Sequence, residues 1–373
     1  MIEIRKVQTS KEKKQFASFN VDMYINNPCA IPDLVQDELD NFNQKKNPAY
    51  AFCDVVQYLA YKDGKCAGRI AGIYNKKANE KWQKSDARFT RADFIDDVEV
   101  STALFSAIAS WAKEHGADTL IGPLGFTDFD QEGMLVEGFD CAGPFFTIYN
   151  AAYYAKHMEK LGFEKDVDWI EFRLTVPDAP SQKLIKLSDM VLSRGKLTLR
   201  EFKSKRNVKK YIPQIFRLLN DTYKDLYGMV ELNDEQVKKY VSQFLSIINP
   251  RYVKMIFNGQ NELVAFGLSV PSLGKAVRKS RGRLLPFGWY RIITAPYRKT
   301  DEIDLCLVGV INEYQSKGLP AVLINSMLLT AIKRGVRYAE TGPELELNTS
   351  VQALWKYFDT KQHKRRRCWQ KQI

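Results

Sequence analysis

Near the C-terminus, Gln315-Ser316-Lys317-Gly318-Leu319-Pro320 separates an alternating stretch, IDLCLVGV (303–310), from a helical one beginning at Ala321. Such a junction can hold a phosphate. The first N–H groups of a helix have no partner within it and lie at the positive end of its dipole, while glycine lets an anion approach the backbone closely. Gly318 supplies that freedom. Pro320 removes one donor, but proline suits the first position of a helix, so it is expected to open one with Ala321, Ile324, Leu328 and Ile332 along one face.

Carboxylates surround the same region: Glu302 and Asp304 at the strand, and Glu340, Glu344 and Glu346 around the next. Glu344 and Glu346 follow Gly342-Pro343 at the expected C-terminal end of a strand, where α/β sheets place ligands. A second strand-to-helix junction, FIDDVEVSTALFSAIASWA (94–112), differs. It sets Asp96, Asp97 and Glu99 where a phosphate would lie, and these acids suit a helix N-terminus but repel a phosphate. Asp128, Asp130, Glu132 and Gly133 open like a calcium loop, yet its twelfth position is Phe139, and Phe129 intrudes among the ligands. Six separated cysteines, with no C-x-x-C pair, and three histidines do not suggest zinc. No metal is expected.

These segments belong to a duplicated unit. IEIRKV (2–7) and LTLREF (197–202) alternate like half-buried strands; each precedes a helical stretch and then a hairpin, with Asp63-Gly64 and Asn258-Gly259 as the expected tight turns. Further on, each half has a helix stopped by glycine (Gly116, Gly335), a strand ending in Gly-Pro, another helix and a last strand. The order β-α-β-β-β-α-β-α-β thus occurs twice, and the polar connector 176–186 divides residues 1–180 from 190–373. Only the second half carries the basic insertion before Glu302. Only the first carries the loop FTDFDQEGMLVEGFDCAGPFF (126–146), whose glycines and aromatics suit folding over a ligand or onto the other half.

At 373 residues and 45% hydrophobic content the chain can bury a large core. No export signal or membrane span is visible, so a cytoplasmic protein without a membrane partner is expected. The net charge of +12 is concentrated: eight Lys or Arg and no acid lie between Leu263 and Thr300, and six more lie between Lys361 and Ile373. Such clusters favour anionic partners.

The strand order, the Q-x-x-G step at Gln315–Gly318 and the N-x-x-x-x-x-L-aromatic helix from Asn348 resemble the GNAT acyltransferase superfamily. With GPLGFTDFDQEGMLVEGFD (122–140), the chain looks like the bacterial proteins built of two tandem GNAT-like domains. The resemblance implies an α/β (α+β) fold, each half a mixed, mostly antiparallel twisted sheet flanked by helices. It implies binding of acetyl-CoA or another acyl-CoA by the second half, through the backbone at Val308 and Val310, the turn residues Gln315, Ser316, Lys317, Gly318, Leu319 and Ala321, and Asn348. It also implies acyl transfer to an amine of a small molecule or peptide, with Glu344 or Glu346 as base. The family's usual acid is a tyrosine seven residues after the asparagine; that position is Trp355, leaving Tyr357 or Tyr338 as substitutes. The first half, with its acidic junction, is expected not to bind CoA. Two other functions fit the resemblance: a non-catalytic pair binding nucleic acid or an acidic partner through HKRRR (363–367), and an aminoacyl-tRNA-dependent transferase.

Overall fold

The computed structural model describes all 373 residues. Fourteen strands form one continuous sheet. In the first half they are β1 (Ile2–Lys6), β2 (Cys53–Lys62), β3 (Lys65–Asn75), β4 (Asp86–Phe94), β5 (Thr119–Gly122), β6 (Met134–Glu137) and β7 (Glu164–Thr175). In the second they are β8 (Thr198–Glu201), β9 (Val253–Phe257), β10 (Leu263–Pro271), β11 (Glu302–Val310), β12 (Tyr338–Thr341), β13 (Glu344–Leu345) and β14 (Thr360–Gln372). The order across the sheet is β1-β2-β3-β4-β5-β14-β7-β12-β11-β10-β9-β8, with β6 beside β14 and β13 beside β7.

The last strand of each half therefore lies against the other half. β14 pairs antiparallel with β5, β7 pairs antiparallel with β12, and the two long strands pair with each other from Thr360↔Leu174 to Gln370↔Glu164. Charge explains their affinity. Asp168 of β7 accepts from Arg365 at 3.0 Å and from Arg367 at 2.8 Å, and Glu171 is paired with Arg366, both fully buried. Opposite charges facing across a ladder reinforce it, and burial makes each half of such a pair dependent on the other. The HKRRR run is thus the centre of a sheet and not a free basic tail, which removes the sequence-based reason for giving it to nucleic acid.

One helix packs on the sheet at each parallel pair. Leu104, Ile108 and Trp111 of the Val98–Glu114 helix join Phe89, Ala87 and Val56 in the first-half core. Ile324, Met327 and Leu328 of the Leu319–Lys333 helix pack on Ile303, Leu305, Ala339 and Leu174. This second helix is buried on more than the one expected face: Val322, Leu323 and Asn325 are covered too, whereas Ala321 and Ile332 are only half-buried. The connector explains it, since residues Gln182–Arg194 form a helix along the outer side and Ser188 accepts from Asn325 Nδ2 at 3.0 Å. Pro320 is the second helical residue, not the first, because Leu319 begins the helix.

The hairpin turns also differ from each other. Asp63 and Gly64 both take positive φ, as a two-residue turn requires. Gly259 does not. Asn258 Oδ1 accepts from Gln260 and Glu262 N–H at 3.0 and 2.9 Å, closing a longer loop in which Asn261 is the left-handed residue.

Candidate active site

β11 and β12 run parallel from Glu302↔Tyr338 to Leu305↔Thr341 and then part. Beyond that point β11 continues, paired only with β10, while the chain after β12 turns away through Gly342-Pro343. The result is a wedge in the sheet between Cys306–Val310 and Gly342–Glu344.

At the mouth of the wedge stands the Leu319–Lys333 helix. Gly318 precedes it with φ 83°, and no side chain caps the helix; Leu319 is fully buried, leaving half-buried Ala321 to offer a first-turn N–H to an anion. A Cβ on Gly318 would come within 3.3 Å of Val191 Cγ2. Ser316 and Lys317 are exposed, and Lys317 Nζ rests 3.4 Å from Glu313. Gln315 is exposed, and its amide donates to Val310 O at 3.2 Å and to Asn312 Oδ1 at 3.0 Å, so it braces the turn. Val308 O accepts from the Tyr223 hydroxyl at 3.1 Å.

Tyr223 ends the Ile212–Tyr223 helix, and sequence reasoning missed it. The proposed tyrosine substitutes lie apart: Tyr357 is 67% exposed, and Tyr338 is stacked under Arg173. Trp355, in the usual tyrosine position, is buried, and its indole N–H donates to both Glu344 oxygens at 3.1 and 3.0 Å. Burial pushes the Glu344 carboxyl up to about 7, with the indole working against this. Glu346 is differently placed, ion-paired with Lys165 and, at 3.2 Å, with Arg365. Asn348 accepts from Val351 N–H at 3.4 Å and caps the Thr349–Trp355 helix.

The opposite face of the same strands is acidic and buried. Ile303 and Leu305 face the Leu319–Lys333 helix, so the intervening Asp304 points away from it, beside Glu340. Both acids are 1% exposed, and Asp304 Oδ2 has no hydrogen-bond partner. Burial first, and then the neighbouring Glu302 and Glu340, hold the Asp304 carboxyl well above its ordinary range. Burial and Glu340 raise that of Glu302.

A nucleophile adjoins this cluster. His363 Nε2 lies 2.5 Å from Glu340 Oε2, His363 Nδ1 lies 3.4 Å from Cys141 Sγ, and Lys364 Nζ lies 2.7 Å from the same sulfur. Lys364 is buried, with that sulfur as its hydrogen-bond partner. The His363 hydrogen bond lowers the Cys141 thiol despite burial, with Lys364 adding to the effect. Burial opposes the charged imidazole, but Cys141 and Glu340 outweigh it and raise His363 to about 9. This is the arrangement of a stabilised thiolate. No spacing signal in the sequence joins residues 141, 340 and 363.

Cys141 comes from the first half's extra loop, which folds onto the second half. Phe129 packs against Phe216, Tyr240 and Phe244, Thr127 and Tyr240 share a hydrogen bond at 2.5 Å, and Arg366 holds Ile148 O. Asp130 serves the loop itself, accepting from Phe126 N–H at 2.7 Å. A more open depression between Lys76–Asp86 and β14 is polar and remote from these groups.

At the first half's junction, the parallel pair β4–β5 also parts, after Arg88↔Ile121. Here Asp97 caps the helix, accepting from Glu99 and Val100 N–H at 3.0 and 3.3 Å, and is paired with Lys62.

No family model matches the chain. It is 27% identical to Protein YghO of Escherichia coli, covering 99% of this chain and 95% of that one. It is 23% identical to the bacterial ceramide synthase of Caulobacter vibrioides, covering 92% and 91%. Among solved structures, a tandem GNAT protein from the clavulanic acid biosynthesis pathway matches with TM-score 0.56 and 14% identity, over 100% of this chain and 98% of that one. A GCN5-related N-acetyltransferase from Sphaerobacter thermophilus matches with TM-score 0.53 and 12% identity, over 100% and 95%. The architecture shared with the first of these structures is two GNAT-like halves in tandem.

Proposed function

We propose that this two-domain GNAT-like protein is an N-acyltransferase that takes an acyl group from acyl-CoA and gives it to an amine. The GNAT fold supports acyl transfer in general. The observation that carries the finer reading is the wedge, with an uncapped helix start on one side and a buried acidic cluster on the opposite face of the same strands.

The cradle suits a pyrophosphate: the N–H of Ala321 at the start of the helix would meet it, and Gly318 adds no side chain of its own beside Val191. Acyl-CoA, when bound, supplies an activated thioester carbonyl. An amine acceptor arrives as a cation, and the buried acidic face, where Asp304 Oδ2 lacks a hydrogen-bond partner beside the His363-paired Glu340, gives it polar groups to meet. Glu344, at about 7, is near half-ionised at neutral pH, which suits a base taking the amine's proton. Tyr223 keeps its proton at neutral pH, since burial raises its hydroxyl, and it is the group we assign to protonate the leaving thiolate.

The similarity to a protein named bacterial ceramide synthase favours a long-chain amine as acceptor, because a ceramide is the amide of such an amine with a fatty acid. Isothermal titration with CoA, acetyl-CoA and a long-chain acyl-CoA, using Gly318→Glu as control, tests the first step. CoA release with a panel of amines tests the second. Absence of binding by all three thioester-series ligands would sink the reading.

A further inference from the structure

We propose that the insertion between β10 and β11, residues 273–299, docks the protein on the surface of an anionic lipid bilayer. The first half has no counterpart to it. The insertion consists of two short helices, Gly274–Ser280 and Gly288–Thr294, and the turns around them.

Its inner side is firmly held. Leu273, Val277 and Ile292 are buried with Ile31, and Ala142 and Phe145 of the first half's loop pack on them. Gly282 O accepts from Val35 N–H, and Pro296 O from Asn249 Nδ2, both at 2.9 Å. The outer side therefore cannot simply fold inward to hide its apolar groups.

That outer side presents Leu285, Phe287, Trp289, Tyr290, Ile293 and Tyr297, each between 41% and 80% exposed. Six large apolar side chains within thirteen residues form a concentrated exposed surface, not the scatter normal for a soluble protein. Around them Lys275, Lys279, Arg281, Arg283, Arg291, Arg298 and Lys299 are exposed. Only two of these have ion-pair partners, both distant: Lys275 at 3.9 Å from Asp301 and Arg283 at 3.7 Å from Asp22.

The mixture selects the partner. Cations alone would serve RNA, and aromatic rings can stack on bases, but Leu285 and Ile293 gain nothing there. A bilayer uses every member: aliphatic and Phe side chains enter the acyl boundary, Trp and Tyr rest at headgroup level, and Lys and Arg meet anionic headgroups. This is contact with the surface, since no helix is long and apolar enough to cross a membrane. It also brings lipid beside the loop that carries Cys141 and covers the acidic face.

The test is sedimentation of the full chain with phosphatidylcholine vesicles, alone or with about one-third phosphatidylglycerol. Binding is expected to be at least about ten-fold stronger to the anionic vesicles and to weaken with salt. Tryptophan fluorescence should shift blue on binding; Trp289→Phe should reduce the shift while binding persists. The pair Leu285→Ser and Phe287→Ser leaves charge unchanged and should weaken binding about ten-fold, as should Lys279→Glu with Arg281→Glu. Failure of the unmodified chain to sediment overturns the proposal, whatever its affinity for RNA. So does binding that Leu285→Ser with Phe287→Ser leaves intact, which would reduce the effect to diffuse attraction by the net charge of +12. Neither outcome depends on acyl transfer.

Discussion

Both halves part a parallel strand pair and set a helix at the opening, but they finish that helix differently. In the first half Asp97 supplies the negative charge that the exposed N–H groups attract, with Lys62 beside it. In the second half Gly318 leaves the position open. The same backbone electrostatics can be satisfied internally or offered to a ligand, and the cap, its acidic neighbours and the shape of the turn together decide which. A duplicated fold can thus keep one half as support and give the other a site.

The largest effects should come from the open half. Glu344→Gln removes the group assigned to take a proton and should lower kcat by about 10²–10⁴-fold with little change in CoA affinity. In the unsubstituted protein the rate should rise with pH through about 7, as Glu344 loses its proton, and the variant should lose that limb. The stability consequence has the opposite direction. Burial raises this carboxyl from 4.5 to about 7, so its contribution is complete below 4.5 and is lost as pH rises through 7. Denaturant melts across that range would check the sign.

Closing the second half in imitation of the first comes next. Gly318→Glu places an acid at the cradle, forces a side chain onto φ 83° and brings its Cβ toward Val191. CoA affinity should fall about 100-fold or more, because like charge and steric loss act together. Titration calorimetry reads this directly. Retained affinity would place the ligand elsewhere.

The exchange of β7 and β14 makes the comparison one between linked halves. Arg366→Ala strands the Glu171 carboxylate inside the sheet and should cost about 3–5 kcal/mol. Both halves should then lose stability in one transition. A variant in which only one half softens would show that the exchanged strands do not couple them.

Much of this architecture was legible. Hairpins, helices and Gly-Pro steps repeated in the same order carried the fold, since they are local patterns of hydrophobicity and turn chemistry. Strand exchange is long-range, and no local pattern announced it; the basic run pointed to an anionic partner instead. The site divided in the same way. Gly318 and Glu344, the proposed cradle and base, stand out by motif and position, but Tyr223, the proposed acid, ends a helix without any motif, and Cys141, Glu340 and His363 meet only through the folding of a first-half loop over second-half strands.

That loop gives another point of contrast, because it brings a reactive group from the supporting half to the open one. Cys141 should alkylate with iodoacetamide at pH values below the ordinary thiol range, since His363 and Lys364 favour the thiolate. Removing the cation with Lys364→Met should move the rate–pH curve upward by about one unit. Rates of Cys141 modification measured by peptide mass spectrometry would check this, and an unmoved curve would leave His363 as the sole activating group.

The smallest expected effect returns to the closed half. Asp97→Ala removes a helix cap and should cost only about 1 kcal/mol. It should not create CoA binding: Glu99 and Asp96 remain nearby, and no residue there takes the left-handed turn that Gly318 makes. Thermal melts and titration on the same variant separate these outcomes. CoA binding gained by Asp97→Ala would mean that capping alone, and not the shape of the turn, distinguishes the two junctions.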